Sequence, residues 1–388
     1  MELEDYLQPL DIELPDKEIS PFAYGTMFKI FSEGNKFPDL DETDIVILGV
    51  PEERGAYNNK GCSKAAGVIR SKLYDLFCGD YKVRISDIGN LKIGNTLEDT
   101  YIAVADVCSK LLKRNIVPII LGGSQDLTYA QYKGYGPLGQ MINIVSVDSH
   151  FDLGTNESNF SSRTFLGKII VDEPNYLFNY SNIGFQSYFV GSDSVQMMKK
   201  LYFDVYRLGH VRADLEEVEP IVRNADMLSF DISAIRQSDA PGNFNASPNG
   251  FYGEEACQII RYAGLTDKLS SIGFYEINPE VDNKEQTSHL VAQMIWYFID
   301  GYYNRRQDHP AKGKSDFVKY IVNVKSMEME LVFYKSKKTD RWWMEIPYSG
   351  NQLKYFHQNL VSCSYKDYET ACNNEIPEKW WQAFHKFS

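Results

Sequence analysis

Basic residues are in deficit: 40 Lys and Arg stand against 53 Asp and Glu, a formal charge of −13 over 388 residues. A balance of that sign argues against a nucleic-acid surface, because phosphate backbones are held by clustered cations that release counterions. Small molecules or proteins are the expected partners. Cysteine is also sparse. Cys62, Cys78, Cys108, Cys257, Cys363 and Cys372 are scattered without a C-x-x-C pair, which in a chain of this length reads as reduced structural thiols. No uninterrupted apolar stretch approaches the ~20 residues needed to span a bilayer, so no membrane partner is expected. The opening "MELEDYLQPLDIELPD" is acidic and broken by Pro9 and Pro15. It has neither the basic nor the apolar region of a secretory signal, and the expected location is the cytoplasm. Internal repeats and low-complexity segments are absent.

What is present is core-forming material, with 43% hydrophobic and 24% charged residues, enough for one large domain or two smaller ones. From about residue 44, short β-rich apolar runs alternate with longer amphipathic segments, the pattern of parallel strands joined by helical crossovers. Strands are expected at 44–51, 116–123, 142–148, 182–191, 226–233 and 269–277. Their near-continuous apolar content suits a sheet covered on both faces. Helices are expected at 63–78, 97–114, 193–202, 251–264 and 285–303, with Thr96 as N-cap of the second and Lys113 and Arg114 closing it. Residues 304–316, "NRRQDHPAKGKSD", are polar and punctuated by Pro310 and Gly313, and read as a linker. Beyond it the pattern alternates like a strand pair and then carries Trp342, Trp343, Trp380 and Trp381, which fits a small α+β appendage anchored by aromatics. The expected division is an N-terminal segment 1–43 packed on the core, a main domain 44–303, the linker, and an appendage 317–388.

Ligands of open parallel sheets collect beyond the carboxyl ends of the strands, and four of the expected strands end in polar residues. "GGSQD" brings Gln125 and Asp126, "DSHFD" brings Asp148, His150 and Asp152, "DIS" brings Asp231 and Ser233, and the last strand is followed by Glu276. On extended chain, residues two apart point the same way, so Asp148, His150 and Asp152 are candidates to face one point. Carboxylate with imidazole is the donor mixture of manganese, zinc or iron. His210, His289, His309, His357 and His385 fall outside any motif and read as structural or solvated.

The ordered set "GGSQD", "VDSHFDL", "SFDISAIRQSDAPG" and "FYEINP" resembles the ureohydrolase family of arginases, agmatinases and formimidoylglutamases over about residues 44–303. "DSHFDLGTNESNFSSRTFL" and "IGFQS" lean towards formimidoylglutamase. The resemblance implies a three-layer α/β/α fold around a parallel sheet, a homo-oligomer, and two manganese ions bridged by a hydroxide that attacks a linear amidine. It carries over Asp148, His150, Asp152 and Asp231 as metal ligands. Glu276 and His150 carry over as catalytic candidates, with Glu276 receiving the cationic amidine. The loop 154–164, with Asn156, Ser158, Ser161, Ser162 and Arg163, stands where the family binds the amino-acid end of its substrate. Two ligand positions differ: Gln125 stands for a histidine and Ser233 for an aspartate. Arg163 replaces a glycine and either fills the pocket or offers an anion contact. Asp126 or Asp239 reaching inward, or a carboxyl keeping its proton, would compensate the losses.

Each ion loses one ligand, so the expected cofactor is manganese or another divalent cation, one ion or none. Two functions follow. One is hydrolysis of a C–N bond in a formimidoyl or guanidino amino acid with an altered centre. The other is a catalytically inactive member that keeps the fold as a binding or assembly module.

Overall fold

The computed structural model describes residues 2–11, 20–154, 159–325, 328–348 and 358–387. The main domain's strands are β1 (Leu7–Gln8), β2 (Lys29–Ile30), β3 (Ile45–Val50), β4 (Ile85–Leu91), β5 (Val117–Gly122), β6 (Ile142–Val147), β7 (Leu177–Phe185), β8 (Asp204–Arg207), β9 (Met227–Asp231) and β10 (Ser271–Tyr275). They form one sheet in the order β1-β4-β3-β5-β10-β9-β6-β7-β8, with β2 also beside β4. Every pairing is parallel except that of β1 with β4.

Alternation along β3 explains the layers. Ile45 and Ile47 enter one apolar core while Val46, Leu48 and Val50 enter the other, because successive side chains leave opposite faces of a strand. The first core is closed by α2 (Ala65–Asp75), α9 (Gly253–Gly264) and α10 (Gln286–Tyr303), and the second by α3 (Leu97–Lys113), α4 (Leu127–Lys133) and α5 (Phe165–Val171). The remaining main-domain helices are α1 (Tyr24–Met27), α6 (Ser192–Lys200), α7 (Leu208–Ala213) and α8 (Val218–Arg223). Helix α3 starts at the expected cap. Thr96 Oγ1 accepts from Asp99 N at 3.1 Å and Asp99 returns the bond to Thr96 N at 2.8 Å, a reciprocal capping box.

The strand expected at 182–191 lies instead at Leu177–Phe185. Its polar members Asn179 and Ser181 both donate to Asp204 Oδ2, at 2.6 and 2.9 Å, so these side chains are satisfied where β7 meets β8. Residues after Phe185 turn away as Gln186 N donates to Ser149 O at 3.0 Å.

The appendage is a four-stranded antiparallel sheet of β11 (Phe317–Val324), β12 (Met329–Ser336), β13 (Trp342–Glu345) and β14 (Leu360–Cys363), with α11 (Tyr365–Cys372) and α12 (Glu378–Phe387). Trp342, Trp343 and Trp380 are buried, whereas Trp381 is partly exposed. Buried Arg223 of α8 fastens the sheet to the main domain. Its guanidinium lies 4.3 Å from the centre of the Trp343 ring system, and Nη2 donates to Cys363 O at 3.0 Å. Asn143 Nδ2 donates to Gln358 Oε1 at 3.0 Å across the same boundary. No described helix is long and apolar enough to cross a membrane.

Candidate functional site

The four strands that end in polar residues, β5, β10, β9 and β6, are consecutive at the middle of the sheet. Register does the rest. Tyr275 pairs with Asp231 and Val147 with Phe230, so Glu276 and Asp148, each one residue further on, flank Asp231. Gly123 is required between β5 and this rim, since a Cβ there would lie 1.7 Å from Glu52 O. Glu276 and Asp152 hold positive φ angles of 67° and 50°, a conformation that costs a non-glycine residue about 1 kcal/mol or more and that clusters at functional sites.

Asp148, Asp152 and Asp231 each present a carboxylate oxygen within 4.8 Å of the others, all three buried, and they are the sole group of that kind among the described residues. His150 stands outside it. Strand β6 stops at Val147, so the chain is not extended through 148–152 and the every-second-residue geometry does not hold. The imidazole stacks on Phe189 with ring centres 4.7 Å apart, and Nδ1 lies 2.8 Å from Ser149 Oγ. Burial, aided by the Arg163 charge, lowers its pKa to about 3, so it is neutral.

The substituted positions have their own partners. Gln125 Nε2 donates to Asp148 Oδ2 at 2.9 Å, and its backbone N donates to Glu276 Oε1 at 2.9 Å. Ser233 N donates to Asp231 Oδ1 at 2.7 Å, while its hydroxyl lies 3.4 Å from Ser149 Oγ. Asp126 and Asp239 do not join the group. Asp126 accepts from the Tyr101 hydroxyl, and Asp239 accepts from Arg236 Nε at 2.8 Å and Gly253 N at 2.9 Å.

Arg163 does reach it. Its Nη1 lies 3.5 Å from Asp152 Oδ1, and the guanidinium sits 5.8 Å from the Tyr57 ring centre. Ser161 and Ser162 serve the loop itself: Ser161 Oγ accepts from Arg163 N at 3.3 Å, and Ser162 Oγ accepts from Tyr57 N at 3.1 Å. Asn156, Ser158 and His357 lie outside the described residues. His309 Nδ1 accepts from Ala311 N, and His385 stacks on Tyr202.

Asn59 went unrecognised in the sequence. It is fully buried and donates through Nδ2 to Glu276 Oε2 at 2.7 Å and Glu276 O at 2.9 Å. A single asparagine inside "GAYNNKG" carries no signal of that role. Asn243 of the 242–250 loop adds a second donor to Glu276 O at 2.9 Å.

Crowding governs the electrostatics. Burial first, and then neighbouring carboxylates, drive the acids towards their neutral forms: Asp148 well above its usual value, Asp231 to about 7 and Glu276 to about 8. Asp152 rises to about 7 through burial, against the lowering pull of Arg163. Four buried acids side by side retain protons because their charges cannot be dispersed.

The Arginase family profile matches residues 43–300.

The chain belongs to the arginase family.

Among curated relatives, the formimidoylglutamase of Staphylococcus haemolyticus is 29% identical over 307 residues, covering 73% of this chain and 95% of that protein. That of Bacillus subtilis is 22% identical over 306 residues, covering 69% and 95%. The solved Trypanosoma cruzi formiminoglutamase with manganese superposes with a TM-score of 0.65 at 20% identity, over 72% of this chain and 98% of that one. The Bacillus subtilis formimidoylglutamase gives 0.67 at 19% identity, over 78% and 97%. These structures share the arginase-family fold, as the motif order implied, and the appendage lies beyond the matched family region.

The donor set can be tested against the family's metal pair. Gln125 turns its NH₂ to Asp148, His150 is engaged elsewhere, and Ser233 offers only a hydroxyl. These residues do not fit two ions. Asp148, Asp152 and Asp231 suffice as oxygen donors for one, and Asp152 Oδ2 is buried without a hydrogen-bond partner.

Proposed function

We propose that this arginase-family chain keeps the family pocket as a binding module for a small amidine or amino-acid ligand and has lost the family's two-metal hydrolysis. One observation carries this reading: the carboxylate group is met from within the chain, by the Gln125 amide on Asp148 and the Arg163 guanidinium on Asp152. Glu276 is the acid left to receive a planar cation: its carboxyl accepts from Asn59 and from the Gln125 backbone, and an arriving cation would offset the burial and crowding that hold its proton. The similarity to formimidoylglutamases supports an amidine as the ligand class.

A second reading is supported by the three grouped carboxylates and the unpartnered Asp152 Oδ2. In it the chain hydrolyses a C–N bond of a formimidoyl or guanidino amino acid with one divalent cation, manganese by analogy with the Trypanosoma cruzi formiminoglutamase. Asp148, Asp152 and Asp231 would hold the ion, which supplies Lewis acidity and an acidified water. Glu276 would orient the amidine, and the 154–164 loop would receive the amino-acid end. Purified protein with manganese and a panel of such substrates separates the two. The first reading expects binding without release of formamide, ammonia or urea, and catalytic release of any of them overturns it.

A further inference from the structure

Arg163 lies just before α5, and its position is fixed from several sides. Leu166 N donates to Asp152 O at 3.2 Å, and a Cβ on Gly167 would lie 2.1 Å from Leu153 O, so the start of α5 is packed directly against the Asp152 segment. Ser162 N donates to Gly55 O at 2.9 Å, while Ser162 Oγ accepts from Tyr57 N at 3.1 Å. These two bonds staple the Arg163 loop to the loop that carries Tyr57. The guanidinium is thereby held between an aromatic ring and the carboxylates. Its direct contact in the group is with Asp152, Nη1 lying 3.5 Å from Oδ1, and its charge acts on Asp231 and Asp148 from further off.

We infer that Arg163 is the resident cation of the Asp148, Asp152 and Asp231 group and that it determines the pocket's cation specificity: while its guanidinium is in place, a divalent ion is excluded. This rests on the reading that the family's metal chemistry is lost, and extends it by naming the residue that keeps an ion out. A guanidinium delivers a delocalised charge with several N–H donors to carboxylates, where a metal needs their lone pairs converged on one point. The two occupants compete for Asp152, the carboxylate that Arg163 touches and that an ion would need. A ligand with its own amidinium group is left to meet Glu276, away from the Arg163–Asp152 contact.

The test is manganese binding followed by loss of the free-ion electron paramagnetic resonance signal, comparing the native chain with Arg163→Gly and Arg163→Gln. The native chain should leave manganese free. Both variants should bind one ion, with affinity raised at least about 100-fold, the scale expected when a cation a few Å away no longer repels a dication. The glycine variant should also melt at lower temperature, and low-millimolar guanidinium should restore its midpoint where tetramethylammonium at equal ionic strength does not. If Arg163→Gly fails to fold, Arg163→Gln, which keeps side-chain length without charge, decides the question alone. Equal manganese affinity in the native chain and the folded variants, whether tight or undetectable, overturns the inference. The substrate panel is a separate readout: hydrolysis by the native chain overturns the loss of catalysis, whereas undetectable manganese binding in every variant overturns only the role of Arg163.

Discussion

Replacing Asp152 by Asn should stabilise the metal-free protein, and the gain should grow with pH. Asp152 is buried, and its pKa is raised to about 7. A raised folded-state value means that the folded protein holds a proton which the unfolded chain, with an ordinary Asp value near ~3.9, releases. Stability is therefore lost as pH climbs from about 4 to about 7, at ~1.4 kcal/mol per unit, and the loss is complete above that. At pH 8 the penalty is about 4 kcal/mol, and at pH 5 about 1.5 kcal/mol. Asn removes it. Against this stands the Arg163 contact at 3.5 Å, a long ion pair worth about 1 kcal/mol. The φ of 50° at this position suits Asn, which visits the left-handed region readily. The net expectation is a gain of ~1–3 kcal/mol at pH 8 that falls to near zero at pH 5. Urea unfolding with chelator present, followed by tryptophan fluorescence, measures it. An Asp152→Asn protein that is destabilised equally at both pH values would refute the view that these acids are crowded without a metal.

Two further outcomes are expected. Gln125→His with Ser233→Asp should add the missing donors yet leave manganese uptake weak while Arg163 remains, and adding Arg163→Gly should bring uptake to two ions per chain in equilibrium dialysis. Arg223→Met should cost about 2 kcal/mol, because it leaves the buried Cys363 carbonyl without its donor while Glu219 keeps Arg341, and thermal unfolding with limited proteolysis should show the appendage released first.

The central strands were legible because each is a short apolar run buried on both faces, and a polar residue after such a run has nowhere to go but the rim. That logic reached Asp148, Asp231 and Glu276 through β6, β9 and β10. It could not reach the orientation of His150, which depends on the chain leaving the strand at Val147. Nor could it settle Arg163, whose two options in the sequence, filling the pocket or offering an anion contact, are separated only by the packing of α5 against Leu153. Strand β7 begins earlier than the apolar run that marks it, because Asn179 and Ser181 are held in the strand by Asp204, a partner no local pattern announces. Asn59 lies 217 positions from its partner Glu276, and no local pattern connects them.

The most direct measurement is the manganese content of the native chain after saturation with the ion and removal of what is loosely held. A chain in which Gln125 engages Asp148 and Arg163 engages Asp152 should retain less than one ion per molecule. Two tightly held ions per molecule would contradict it.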